Sequence, residues 1–457
     1  MNNSNRRKFL KLGAQTMAGA GLALGANPYL TLARAAEGGL ASGATDYRAL
    51  VCIYLEGGSD GFSLLVPTSA SGYNEYAASR QHLSVDQSSL LGINPLSNHD
   101  AMGFHPSAGP LQALFEEGKL AMIANVGNLI EPTTKEQFEN GSVALPAQLF
   151  SHSDQSRQWQ QLQGVDSGTT GWGALAADYL SSYQQRDYLT SITLTGSNYW
   201  QSGFGQRPFS ISDSGVLDYS GLSDESDWQQ PRLEAFKRVL EAQQSNVFAS
   251  AYADMQQRAM NITAELGQVL ESNQAIITEQ QSENALANRL AMVAQLIAAK
   301  DQLGMHRQIF YVEMGGFDVH DNQNREMPEL VAELSDALMF FQRTLETMGM
   351  EDSVTTFTAS DFGRTLTGNG DGTDHGWGNH LMAMGGAVHG GDVYGQMPSL
   401  HVEGPDQVAN GRVLPTLSAS QYAATLLNWV GLDESQLNYT LPNLGNFTAR
   451  DLGFLRS

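Results

Sequence analysis

Gly315-Gly316-Phe317-Asp318-Val319-His320 follows closely on the strand-like run Ile309–Glu313. About 40 residues later Ser360-Asp361-Phe362-Gly363-Arg364 follows the strand-like, β-branched run Val354–Ala359. Each run reads as a buried strand, and the segment between them, Met327–Met348, carries a helical apolar repeat. Strand, helix, strand with an acidic, glycine-rich exit after each strand is the pattern of a doubly wound, mostly parallel α/β sheet. Such a sheet gathers functional side chains at the carboxyl edge of its strands. A third run, Ala49–Leu55, is continuously apolar and leaves through Glu56-Gly57-Gly58-Ser59-Asp60-Gly61, as expected of a strand buried on both faces. Leu120–Val126 and Leu381–Met384 read as further strands, and Pro110–Glu117 and Ser418–Val430 as helices.

The three carboxylates Asp60, Asp318 and Asp361 would therefore meet at one crevice. Unscreened they would repel one another, so a cation is expected among them. The imidazoles that could join them are His320, His375 in Thr373-Asp374-His375-Gly376, and His380. Asp and His together suit a divalent metal, zinc first, with manganese, magnesium or calcium if carboxylates dominate. Asp374 is either a ligand itself or the group that orients an adjacent ring. Ser151-His152-Ser153-Asp154 opens a helical run. Either serine could be a nucleophile at the helix amino end or simply its cap, with His152 beside them. Arg364 could clamp an oxyanion or offset the nearby carboxylates.

The amino-terminal segment reads as an export signal. Asn5-Arg6-Arg7-Lys8-Phe9-Leu10-Lys11 is a twin-arginine pattern, followed by an Ala/Gly/Leu stretch and the small-x-small site Ala33-Arg34-Ala35. Residues 1–36 are thus expected to be a signal peptide handled by the twin-arginine translocase, with residues 37–457 a periplasmic or secreted α/β domain. Within it, 200–303 reads as a largely helical insertion. The whole chain of 457 residues carries 25 Lys and Arg against 48 Asp and Glu, a net charge of −23. Five of those cations lie in the signal, which leaves 20 against 48. That field disfavours nucleic acid and anionic membrane surfaces as partners, and no later stretch is apolar enough for an integral membrane segment. Cys52, the single cysteine, excludes an internal disulfide. No Gly-x-Gly-x-x-Gly or Walker pattern follows a strand, which argues against a nucleotide cofactor.

These elements, in this order, resemble the DUF1501 family of twin-arginine-exported proteins, grouped with the alkaline phosphatase-like superfamily. The shared features are the twin-arginine start, Glu56–Gly61, Phe104-His105-Pro106, Ser151-His152 with Gly171-Trp172, Gly316–His320, Ser360–Arg364 and Thr373–Gly376. The resemblance implies a metal-dependent hydrolase of phosphate or related esters. Asp60 would end the first strand, Ser151 or Ser153 would be the nucleophile, Asp318 and His320 would be ligands, and His375 or His380 would supply the last imidazole. The chain departs from that pattern in two places. One residue rather than three separates Asp318 from His320, and Phe362 stands where an imidazole is expected. A sulfatase-type nucleophile is missing too, because Cys52 lies mid-strand. Phe362 keeps a second expectation open, a non-catalytic scaffold or binding protein that retains the fold.

Overall fold

The computed structural model describes residues 46–97, 100–165, 168–184, 186–205, 207–216, 228–242, 247–273 and 283–456. The expected signal peptide lies outside the described residues. Nine strands form the central sheet: β1 (Arg48–Leu55), β2 (Leu120–Gly127), β3 (Ser191–Thr193), β4 (Phe209–Ser210), β5 (Arg307–Met314), β6 (Val354–Ser360), β7 (Asn379–Met384), β8 (Asp392–Tyr394) and β9 (Leu417–Ser418). Their order is β8-β2-β7-β6-β1-β5-β3-β4, with β9 also on β2. All neighbours are parallel except β7, which runs antiparallel between β2 and β6. The mostly parallel α/β sheet expected from the sequence is therefore present.

The reason for the uninterrupted apolar runs is visible in β1. Ala49, Val51, Ile53 and Leu55 point into one core, while Leu50, Cys52 and Tyr54 point into another. Alternate side chains of a strand face opposite sides, so a sheet covered on both sides needs apolar residues at every position. Six helices supply most of that cover: α1 (Gly109–Glu116), α2 (His152–Gln161), α3 (Trp172–Leu180), α4 (Ala285–Ala298), α5 (Gln323–Met348) and α6 (Ala419–Val430). Helices α1, α4 and α5 line the first core, and α2, α3 and α6 the second. In α5, Met327, Val331, Leu334, Leu338, Phe341 and Leu345 are all buried, one stripe at alternating spacings of four and three. Gly349 ends the helix in the left-handed conformation at φ +64°.

Two helices, Gln230–Glu241 and Val247–Asn273, lie in the segment expected to be an insertion. Helix α4 falls in the same segment but belongs to the core, with Leu286, Leu290, Val293, Leu296 and Ile297 buried. Residues 285–298 of that segment are thus part of the core. No helix among the described residues is long and apolar enough to cross a membrane.

Strands β5, β1 and β6 are neighbours and parallel, and Leu55 is level with both Met314 and Ser360. Their exits, with Asp60, Asp318 and Asp361, consequently leave from one edge of the sheet.

Candidate metal centre

The exit of β5 lies hard against that of β1. Phe317 N donates to the Glu56 carbonyl (3.1 Å), and a Cβ on Gly57 would stand 2.4 Å from Asp318 N. Only glycine fits there, and its φ of +109° is also one that L side chains avoid. After β6 the chain makes an antiparallel hairpin, Arg364–Gly368 with Thr373–His375, pairing Arg364 with His375. That return carries His375 back to the β5 exit.

Three ligand-type atoms converge there. Asp318 Oδ1 is 3.2 Å from both His320 Nε2 and His375 Nε2, which are 2.9 Å from each other. The His375 Nδ1 lies 3.0 Å from the Phe150 carbonyl. A carbonyl only accepts, so in the neutral ring Nδ1 holds the hydrogen and Nε2 presents a lone pair to the cluster. Two imidazole lone pairs that close repel unless a proton or a cation lies between them. Four ligands at about 2.0–2.2 Å from one tetrahedral ion stand roughly 3.3–3.6 Å apart; the separations of 2.9–3.2 Å here fall a little short of that, and the chemistry of the donor set suits a small divalent metal. Asp318, His320 and His375 form the one such group among the described residues.

Surrounding groups hold these three in place. Arg364 is fully buried. Its Nη2 donates to Asp318 Oδ1 (2.7 Å) and the Phe317 carbonyl (3.0 Å), its Nε to the Gly58 carbonyl (3.0 Å), and its Nη1 to the Thr373 carbonyl (3.2 Å). It fastens the three exits together and has no face left for an oxyanion. Partial burial alone would raise the Asp318 carboxyl; Arg364 and the two imidazoles outweigh it and hold the group below the usual carboxylate range. Burial, reinforced by Arg364, lowers His375, against the opposing pull of the Phe150 carbonyl and Asp318. Asp374 is exposed, accepts from Asn369 Nδ2 (2.8 Å), and stands 3.5 Å from His320 Nδ1, on the far side of that ring from the cluster.

The other expected site residues are not among the three converging ligands and have partners of their own. Asp60 is buried on Arg80, whose Nη2 is 2.5 Å from Asp60 Oδ1. Ser63 Oγ (2.7 Å) and Gln323 Nε2 (2.7 Å) donate to its second oxygen. Asp361 accepts from the Tyr54 hydroxyl (2.5 Å) and Gly57 N (2.6 Å), and His152 Nε2 stands 3.8 Å from its Oδ2. His380 is buried against Phe62, accepts from Asn125 N at Nδ1 (3.1 Å), and is lowered to about 4 by burial, with Asp60 opposing. His152 meets the cluster edge-on, 5.9 Å between its ring centre and that of His375. Phe362 packs on His375 at 4.5 Å. Ser151 turns its hydroxyl to Asp154 (2.6 Å), and Ser153 is exposed. Arg80, Gln323, Tyr54 and Phe150 were not expected at the site. Of these, only Tyr54 had a sequence signal: it is the polar-tipped residue in an otherwise apolar strand.

An α/β protein with an Asp–His–His cluster at the carboxyl edge of its parallel strands is thus defined by fold and site together. Residues 47–445 match the family described as "Protein of unknown function (DUF1501)", and the chain belongs to that family. No curated protein matches the sequence. Solved structures similar to it include the lipoteichoic acid synthase LtaP from Listeria monocytogenes, at 9% identity and TM-score 0.35, covering 86% of this chain and 74% of that one. The PsFucS1 sulfatase from Pseudoalteromonas sp. is similar at 11% identity and TM-score 0.35, covering 94% and 77%. A mutant of alkaline phosphatase PafA is similar at 10% identity and TM-score 0.29, covering 71% and 64%. At such distances the chemistry of this site has to be argued from its own residues.

Proposed function

We propose that this chain is an exported metal-dependent hydrolase of phosphate or related esters, with its cation held by Asp318, His320 and His375. The observation that carries the reading is the convergence of those three ligand atoms within 3.2 Å of one another. A divalent ion in that position would polarise an ester oxygen and make a bound water more acidic. The chain's own residues support this in separate ways. The Phe150 carbonyl fixes the His375 tautomer, and Arg364 aims the Asp318 carboxylate. His152, with its Nε2 toward Asp361, is assigned to take a proton at Nδ1 while the Asp361 carboxylate supports the resulting charge. Water is favoured over serine as the nucleophile, since Ser151 would first have to release Asp154. Zinc is the first choice of metal for two imidazoles and one carboxylate; manganese, magnesium and calcium follow. Export through the twin-arginine translocase to the periplasm or beyond belongs to the same proposal and rests on residues 5–11 and 33–35.

A second reading, a non-catalytic scaffold or binding protein, is favoured by Phe362 beside the cluster and by the engaged hydroxyl of Ser151. The deciding experiment is elemental analysis of the exported protein, wild type against Asp318→Ala and His375→Ala, followed by a panel of phosphomonoesters, phosphodiesters and sulfate esters. One equivalent of metal lost in both variants, with turnover that disappears alongside it, supports the hydrolase. Metal-free, fully folded wild type would overturn it, and bound metal without turnover on the panel would favour the scaffold.

A further inference from the structure

Arg364 is fully engaged and offers no donor to an anionic ester at the candidate site. A second guanidinium, not among the residues expected at the site, is bonded to the main chain of His375, one of the three cluster residues. Arg412 donates from Nε to the His375 carbonyl (3.0 Å) and from Nη1 to the Ala409 carbonyl (3.0 Å). Its guanidinium carbon lies over the Phe150 ring, 4.1 Å from the centroid, within the range of a strong cation–π contact. Phe150 in turn gives its carbonyl to His375 Nδ1. Successive contacts therefore link Arg412, Phe150 and His375 and tie the guanidinium to the residue that carries the imidazole of the cluster.

Arg412 is only half-buried. It forms no ion pair among the described residues, and its Nη2 makes no hydrogen bond there. The acid that acts on it, Asp374, does so without direct contact and is already bonded to Asn369. A guanidinium held by backbone carbonyls and a ring, with one nitrogen uncommitted, is a half-complete oxyanion site.

We infer that Arg412 recognises the oxyanion of the substrate, a phosphate- or sulfate-type group, at the rim of the Asp318–His320–His375 cluster. The inference rests on the hydrolase reading and narrows its substrate to esters that keep a negative charge. Arg412 contributes two donors from its Nη2 to that group. Arg412→Lys keeps the charge but loses the planar fork and most of the hold on the His375 carbonyl.

The test is calorimetric titration of inorganic phosphate into zinc-loaded protein and into metal-free protein, for wild type, Arg412→Gln, Arg412→Lys and Phe150→Leu. Zinc content and unfolding midpoint are measured on each. The expected result is phosphate binding that weakens by about ten-fold or more in Arg412→Gln, with an intermediate loss in the other two and zinc content unchanged. Phe150→Leu removes only the ring and keeps the His375 contact, so it decides the matter should Arg412→Gln fail to fold. Phosphate affinity in these variants within two-fold of wild type, or wild type that binds no phosphate in either form, would overturn the inference. Should the protein bind no zinc, the hydrolase reading falls, while an Arg412-dependent affinity in the metal-free titration still upholds the anion site.

Discussion

Asp60 and Arg80 form an ion pair with no exposure on either side chain, and the surroundings of the two partners are unequal. If Arg80 is replaced by Met, the Asp60 carboxylate keeps Ser63 N (3.2 Å), Ser63 Oγ (2.7 Å) and Gln323 Nε2 (2.7 Å). If Asp60 is replaced by Leu, Arg80 loses its carboxylate, and its Nε and Nη1 already lack any partner. Breaking a buried pair from one side costs about 3–5 kcal/mol. The three remaining donors put Arg80→Met near the lower figure, about 3 kcal/mol. The orphaned guanidinium puts Asp60→Leu near the upper one, about 5 kcal/mol. The double variant Asp60→Leu/Arg80→Met removes both charges and is expected to regain at least half of the larger loss. Denaturant titration of the four proteins, compared at constant slope, reads these differences directly. Metal content should stay that of wild type throughout, because Asp60 is not one of the three converging ligands. The reasoning is refuted if Arg80→Met costs under about 1 kcal/mol, or if Asp60→Leu proves the milder change. Metal loss in Asp60→Leu alone would return Asp60 to the ligand set.

Three further outcomes are expected. Gly58 sits at φ +86°, and a Cβ there would fall 2.0 Å from Cε2 of Phe362. Gly58→Ala should therefore lower stability by about 2 kcal/mol or more, measured by the same titration, whereas an unchanged midpoint would show that Phe362 is free to move. Arg364→Lys keeps one charge but cannot reproduce donation to three backbone carbonyls and Asp318 at once. A ten- to a hundred-fold or so loss of zinc affinity in competition with a chelator is expected. Burial lowers His380 from 6.5 to about 4, so the unfolded chain takes up its proton first as pH falls. The resulting stability is intact above pH 6.5 and is lost as pH drops toward 4, by up to about 3 kcal/mol. His380→Asn should flatten that part of the stability–pH curve, and an identical slope in the variant would contradict it.

The sheet was legible because β1, β5 and β6 lie in its interior. Burial on both faces favours apolar or β-branched residues on both faces of each strand with no turn residue among them, most plainly in β1, and the glycine-rich exits mark where the strands stop. Helix α4 was read together with the helices before it because all three carry a helical repeat, and its contacts with α5 and β5 reveal it as core. The histidines divided for a reason that spacing does not carry. His375 and His380 are five residues apart, yet the hairpin register turns one toward Asp318 and β7 takes the other inside, against Phe62. Arg364 was recognisable as important, but not as buried. Whether a guanidinium faces solvent or three carbonyls depends on how closely the exits pack, and Gly57, Gly58 and Gly363 set that.

The fate of the three strand-end aspartates follows from electrostatics. Together around one point they would require a strongly charged cation to hold them. Instead, the fold separates them and gives each its own partner. Asp361, one residue beyond β6, turns down onto Tyr54 and Gly57; Asp60, five beyond β1, reaches Arg80; Asp318, four beyond β5, remains at the surface with Arg364 and two imidazoles. Only the last leaves ligand atoms facing a common point. One carboxylate and two ring nitrogens make a nitrogen-rich donor set, which suits zinc and its transition-metal neighbours and ill suits calcium or magnesium, whose sites are built from oxygen. The separation of the carboxylates therefore narrows the choice of metal more than the presence of the imidazoles does. It also explains why a phenylalanine is tolerated at position 362: with Asp361 committed to Tyr54, an imaginary second imidazole beside it would have no carboxylate free to share a cation.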